Sequence, residues 1–214
     1  MPERRPVDVL RVLVFARAPE PGRTKTRLIP ALGAEGAAAL HARMLEHALA
    51  VAGEVAPGDV ELWCSPDAHH PFFQRCAERF GCSLHPQTGD DLGERMRYAV
   101  EAGTFPALVM GSDAPTLRPE DLRAARDALV STAQDAALIP ALDGGYVLLA
   151  AARPVPGLFE DIEWGSARVL EQTRAQARAH GFAWSELEPR ADIDRPEDLQ
   201  HCPPELLSGI KASP

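Results

Sequence analysis

The sequence predicts an α/β fold in which one sheet carries helices on both faces. Short Val-, Leu- and Ala-rich runs alternate with Ala-, Leu- and Arg-rich segments of helical spacing along most of the chain. The short runs are apolar almost throughout, as strands covered on both sides read. Hydrophobic residues make up 45 % and charged residues 25 % of the 214 residues, which suffices for a sizeable core and excludes a disordered chain.

Val9–Ala16, broken only by Arg11, reads as the first buried strand. Pro19-Glu20-Pro21-Gly22 then makes a rigid loop. Glu35–Val55 spaces Leu40, Met44, Leu45, Ala48 and Leu49 along one helical stripe. Val60–Cys64 is expected as strand, Phe72–Phe80 as helix and Ser83–His85 as a short strand after Gly81. Leu92–Ala102 reads as helix and Ala107–Met110 as a second buried strand. Pro119–Ser131 has the marks of a helix start, with Pro in the first turn and Glu120 and Asp121 at the positive end. Ala136–Pro140 and Tyr146–Ala151 are apolar strands around an Asp143-Gly144-Gly145 turn, the signature of a hairpin. Ala167–His180 is a helix ending at Gly181, Phe182–Leu187 holds a short strand, and Pro196–Leu199 starts a helical turn. At roughly 100–200 residues per domain, with no repeat and no linker, residues 1–214 are expected to form one domain with a frayed tail over 205–214.

Sixteen Gly and twenty Pro stay well below the ~25–30 % of low-complexity chains. The formal net charge of −9 repels phosphate backbones and argues against general nucleic-acid binding, while leaving room for a small anion in a local basic pocket. Cys64, Cys76, Cys82 and Cys202 show no C-x-x-C spacing, so zinc and dithiol-redox readings lack support. The longest apolar runs, such as Ala136–Leu142, fall far short of the ~20 residues that span a bilayer. Arg11 and Arg17 interrupt the apolar stretch that a signal peptide would need. A cytoplasmic protein without a membrane span is expected; the oligomeric state is not legible.

In such sheets the ligand crevice lies beyond the carboxyl ends of the strands. Two loops meet that rule. In the first, Arg17, Arg23, Lys25 and Arg27 stand close together with a single acid, Glu20. Only two of the 22 basic residues are Lys, the other being Lys211. A chain that nearly always uses Arg places Lys25 here, where a compact ammonium acts as a point charge on phosphate. Pro19, Pro21 and Gly22 shape a turn whose free N–H groups suit an anion. The plain alternative is a solvated basic loop, and Thr24 before Lys25 excludes a Walker A motif. The second loop, Gly111-Ser112-Asp113-Ala114-Pro115, puts a carboxylate directly after a buried strand, which suits Mg²⁺ or Mn²⁺ shared with substrate phosphates. An Asx turn is the simpler reading of the same residues.

Asp192 and Asp194, one residue apart, fall on one face of an extended stretch and offer two further carboxylates, although Asp194 with Glu197 also resembles a capping box. Asp143, beside Gly144 and Gly145, is either a turn residue or a base with glycines that let a ligand approach. Asp90 and Asp91 fit a helix start, and Arg95 is placed to face a ligand. Trp164 walls a pocket or belongs to the core, with Ser166 as a cap.

Together these stretches resemble the bacterial DUF2064 family of glycosyltransferase-A-like proteins, also described as selenodomain-associated transferase 1. The resemblance rests on Phe15–Leu28, Asp91–Met96, Gly111–Pro115, Pro140–Tyr146, Asp161–Ser166 and Asp192–Leu199, in order from about residue 12 to 199. It implies a Rossmann-like nucleotide-diphospho-sugar transferase (GT-A) fold with a mixed, mostly parallel sheet. The wider superfamily holds sugar transferases and nucleotidyltransferases. In CMP-sugar synthetases an Asp after a central strand and an Asp in a late I-D-T-P-E-D segment hold the metal, which would be Asp113 and Asp194 here. The Lys-Thr-Arg-Leu piece also looks like Lys-Ser-Arg-Leu of 2-phospholactate guanylyltransferases. The sequence departs from both patterns: only Gly22 remains of the glycine-rich nucleotidyltransferase signature, and Gly-Ser-Asp replaces Asp-x-Asp.

The implied function is metal-dependent glycosyl transfer from a nucleotide sugar to a small acceptor. Nucleotidyl transfer from a nucleoside triphosphate with release of pyrophosphate, and a non-catalytic nucleotide-binding module, are the alternatives. Lys25, Asp113 and Asp143 are the expected catalytic residues, and Mg²⁺ or Mn²⁺ the cofactor on Asp113 and Asp194, with Asp192 as a further candidate ligand. Arg17, Pro21, Gly22, Arg23, Lys25, Arg27 and Ser112 are expected around the phosphates. Arg95, Asp143, Gly144, Gly145, Tyr146 and Trp164 are expected around the acceptor.

Overall fold

The computed structural model describes residues 10–210. Its strands are β1 (Arg11–Arg17), β2 (Val60–Ser65), β3 (Ser83–Pro86), β4 (Ala107–Gly111), β5 (Ala136–Pro140), β6 (Tyr146–Ala151) and β7 (Trp184–Glu186). Its helices are α1 (Ile29–Val55), α2 (Pro71–Phe80), α3 (Leu92–Glu101), α4 (Pro119–Ser131), α5 (Val169–Ala179) and the short α6 (Pro204–Leu207). The strands form one sheet in the order β3-β2-β1-β4-β6-β5-β7. The pairs β1/β2, β1/β4, β2/β3 and β5/β7 are parallel, while β6 runs antiparallel to β4 and β5. The sheet is therefore mixed and mostly parallel, as expected.

Alternation along β1 divides its side chains between the two faces. Val12, Val14 and Ala16 join one core with Leu45 and Leu49 of α1, Phe73 of α2 and Leu122 of α4. Leu13 and Phe15 join the other with Met96 and Val100 of α3 and Leu170 of α5. Arg11, the charge inside the first apolar run, is buried without being orphaned. Its guanidinium pairs with Glu61 at 2.8 Å and donates to the carbonyls of Ala99, Val100 and Thr104 at the end of α3.

Most boundaries fall within one or two residues of the sequence reading. The long helix starts earlier than Glu35, because Ile29–Leu32 add a turn before Gly33 breaks the regular backbone at φ 68° and ψ 168°. The capping box lies one residue later than expected: Asp198, not Glu197, accepts from the backbone N–H groups of Arg195 and Asp194, at 2.7 and 3.0 Å. Of the tail expected over 205–214, Leu206, Leu207 and Ile210 pack with the cluster of Leu40 and Met44 of α1, and Arg43 donates to the Leu206 carbonyl at 2.8 Å. Residues 211–214 lie outside the described residues. All four cysteines are free and buried, and burial raises the Cys64 and Cys76 thiols to about 12, leaving them inert as nucleophiles.

Candidate functional site

Strand order reverses at β1, with β2 on one side and β4 on the other. The loops after β1 and β4 therefore part and leave a crevice beyond their carboxyl ends. Both chemically unusual loops open there, and the late acidic segment closes over them. Ile193 is fully buried beneath α1 with Leu28 and Leu40, and its N–H donates to the Asp113 carbonyl at 2.8 Å. That one hydrophobic anchor brings Asp192 and Asp194 to the crevice.

At the centre stands Lys25. Its side chain is only 4 % exposed, and its ammonium lies 2.9 Å from Asp113 Oδ2 and 3.7 Å from Asp194 Oδ1. It also donates to the Ile193 carbonyl at 2.5 Å. Lys25 adopts left-handed backbone dihedrals, φ 50° and ψ 43°, which cost a non-glycine residue about 1 kcal/mol or more. Thr24 holds the loop from within, donating its hydroxyl to the Ala18 carbonyl at 2.6 Å. Arg27 pairs with the second oxygen of Asp194.

Asp113 is 46 % exposed to the crevice. Burial acts to raise its carboxyl, but the Lys25 ammonium and the His41 ring overcome that and hold it well below the usual carboxylate range. Ser112 is buried beside it and donates its hydroxyl to Asp113 Oδ1 at 3.2 Å. Asp192 moves the opposite way: burial, then repulsion from Asp143, raises it to about 6.

This centre separates two adjoining cavities. The first, about 600 Å³, has Arg17, Arg23, Lys25, Arg27 and Arg95 on its walls, with Ser112 and Gln87. The second, about 440 Å³, is lined by Asp143, Gly145, Tyr146, Trp164, Asp192 and the apolar Met96. Asp113, Asp194 and Arg27 face both. Tyr146 and Trp164 meet edge to face at 6.3 Å, and burial pushes the Tyr146 phenol up so that it stays protonated. Gly93 in the first turn of α3 lets the indole approach, since a Cβ there would sit 2.6 Å from Trp164 Nε1. Asp143 Oδ1 accepts from the Gly145 N–H at 3.0 Å, which confirms the turn between β5 and β6 while its other oxygen makes no protein hydrogen bond among the described residues.

Not every expected residue takes its expected place. Arg95 lines the cationic cavity instead of the acceptor side, because its Nε is held by the Gly89 carbonyl at 2.9 Å. Pro21 and Gly22 are exposed and line neither cavity; they shape the turn. Gly144 is a packing residue, at φ 99°, where a Cβ would meet the Ala167 carbonyl oxygen at 2.2 Å. Arg23 reaches the cationic cavity from the surface, 81 % exposed and paired with Glu20. Among the described residues no three His, Cys, Asp or Glu side chains converge as a self-sufficient metal site. Asp113 and Asp194 are nonetheless two hard oxygen donors at the wall of a cationic cavity, which suits an ion that takes its remaining ligands from phosphate and water.

Sequence reasoning missed His41. It is 3 % exposed on the buried stripe of α1, and its Nε2 lies 2.9 Å from the Arg17 carbonyl. Its Nδ1 lies 3.5 Å from Asp113 Oδ1. The signal was a histidine between Leu40 and Met44 on an otherwise apolar helical face.

Among solved structures the chain is similar to a protein from Desulfovibrio desulfuricans G20 provisionally named a nucleotide-diphospho-sugar transferase, at 31 % identity and TM-score 0.80, covering 89 % of this chain and 84 % of that one. It shares its fold with CMP:2-keto-3-deoxy-manno-octonic acid synthetase complexed with CTP, at 13 % identity and TM-score 0.59 over 90 % and 96 % of the two chains. The same holds for glucosyl-3-phosphoglycerate synthase from Mycobacterium tuberculosis in complex with Mn²⁺, UDP and glucosyl-3-phosphoglycerate, at 10 % identity and TM-score 0.57 over 90 % and 74 %. These neighbours identify the fold as the GT-A-like nucleotide-diphospho-sugar transferase type. No curated protein matches in sequence. The profile of DUF2064, described as uncharacterized protein conserved in bacteria, matches residues 48–166. The chain belongs to the DUF2064 family.

Proposed function

We propose that this protein transfers a glycosyl group from a nucleotide sugar to a small acceptor. The observation that carries the reading is Lys25: a buried ammonium on the wall of the cationic cavity, bound to two carboxylates, Asp113 and Asp194, that also face the aromatic, acidic one. The donor diphosphate occupies the cationic side, where Lys25, Arg17, Arg27 and Arg95 neutralise charge developing on the departing phosphate. Preorganised charge of this kind supplies most of the rate in phosphate chemistry. The acceptor occupies the other side against Tyr146 and Trp164, with Asp143 accepting its hydroxyl proton. Asp113 and Asp194 would hold a divalent ion, which when bound supplies further charge neutralisation at the diphosphate. The Mn²⁺ and UDP of the mycobacterial neighbour are in keeping with this reading.

Nucleotidyl transfer is the second reading, favoured by the five cations on the first cavity, more than a diphosphate requires. Incubation with nucleotide sugars and nucleoside triphosphates, followed by phosphorus NMR, separates the two. A nucleoside diphosphate from the sugars supports glycosyl transfer, pyrophosphate from the triphosphates supports nucleotidyl transfer, and binding without turnover leaves only a nucleotide-binding module.

A further inference from the structure

The two cavities differ in sign as well as in lining. The aromatic one has five carboxylates on its walls against two guanidiniums, Arg27 and Arg195. Three of those carboxylates are already engaged. Asp113 and Asp194 are bound by Lys25, Asp194 also by Arg27, and Asp198 accepts from the backbone N–H groups of Asp194 and Arg195. Asp143 and Asp192 are not. Neither enters an ion pair among the described residues, and Asp143 stands close enough to repel Asp192. Arg195 is exposed and pairs with neither.

The remaining walls make that charge costly. Phe15, Met96, Val109 and Val147 are buried apolar residues that reach the cavity, with Tyr146 and Trp164 beside them. A carboxylate that faces such walls without a counter-ion gives up hydration for nothing, and a cation brought by a ligand recovers the loss. Aromatic rings add to the attraction, because their faces draw a cation. An anionic acceptor meets the opposite conditions. Asp143 and Asp192 repel it, while the five cations of the neighbouring cavity attract it to the place of the donor diphosphate. Opposite signs thus sort two substrates between adjoining cavities, by repulsion as much as by attraction.

We infer that the acceptor is an organic ammonium with an apolar body. Its nitrogen pairs with Asp192, its apolar part packs on Tyr146 and Trp164, and its hydroxyl faces Asp143. This rests on the reading above that the cavity takes the acceptor, and goes beyond it by naming the acceptor's class and Asp192 as the residue that selects it.

The experiment uses the full chain at pH 8 and three probes: tyramine, tyrosol and 4-hydroxyphenylacetate. They share a phenolic ring and end in an ammonium, a hydroxyl and a carboxylate. Calorimetric titration is expected to show tyramine bound about tenfold or more tighter than tyrosol, the gain of a charge-assisted hydrogen bond. D192N should bring tyramine down to about the level of tyrosol and leave tyrosol nearly unchanged; a merely structural role for Asp192 would weaken both. D143N serves as the second variant if D192N fails to fold by circular dichroism. Y146L should weaken tyramine and tyrosol alike, whereas any 4-hydroxyphenylacetate that binds is held by the cations and does not respond to it. Tyramine bound no tighter than tyrosol, a preference that the folded variant keeps, or a carboxylate probe that responds to Y146L overturns the ammonium and leaves the acceptor cavity standing. If none of the three binds the wild type, the acceptor cavity fails, and the glycosyl-transfer reading with it.

Discussion

The backbone N–H of Ile193 donates to the backbone carbonyl of Asp113 at 2.8 Å. The carbonyl of Ile193 in turn receives the ammonium of Lys25. Three loops distant in sequence are thereby joined through one buried aliphatic residue, whose packing carries the acids on either side of it to the crevice, where Asp194 also pairs with Lys25 and Arg27.

Lys25→Met should weaken pyrophosphate binding about tenfold or more, since a charge-assisted hydrogen bond contributes ~1.5–3 kcal/mol. It should also cost about 1–2 kcal/mol of stability. The loss is moderated because Asp113 remains partly solvated. Calorimetric titration and urea unfolding measure the two effects separately.

Asp143→Asn is expected to lower turnover by ~10²–10⁴ if the carboxylate takes the acceptor proton. Stability should hardly change, because the amide oxygen can still accept from the Gly145 N–H. Unaltered turnover with the preferred acceptor would remove Asp143 from the chemistry.

Asp192 should make stability depend on pH in a direction opposite to most carboxylates. Its folded value, about 6, exceeds the ordinary 3.8, so between those limits the native state binds more protons than the unfolded chain. Stability contributed by this group falls as pH rises through that window, and the full penalty stands above pH 6. Asp192→Asn should gain roughly 1–2 kcal/mol on wild type at pH 8, with the gain disappearing near pH 3.5. Paired urea titrations at the two pH values check this.

Gly144→Ala should be among the more damaging single-methyl changes. Positive φ disfavours alanine, and the methyl would meet the Ala167 carbonyl at 2.2 Å, against the segment that carries Trp164. A loss well above the ~1 kcal/mol of backbone strain alone is expected in thermal unfolding, together with weaker acceptor binding.

The sheet was legible because its strands are continuous apolar runs and its helices carry clear stripes. Lys25 was legible from residue usage, and Asp113 from its position directly after a buried strand. Arg95 was misplaced because a sequence does not show that the Gly89 carbonyl turns its side chain toward the cations. Gly144 and Pro21 belong to the turns that carry cavity-lining residues without lining a cavity themselves, since membership of a turn says little about which residue faces inward. His41 stayed hidden because an isolated histidine on an apolar face is usually core, and only the approach of two loops from elsewhere gives it a partner.

Docking of Ile193 also bears on biosynthesis. The chain is made from its N-terminus, so the Lys25 loop and the Asp113 strand emerge long before the segment that bridges them. A nascent chain halted before residue 193 would carry all seven strands of the sheet but an unfinished crevice, since the residue that joins the Lys25 and Asp113 loops would still be missing.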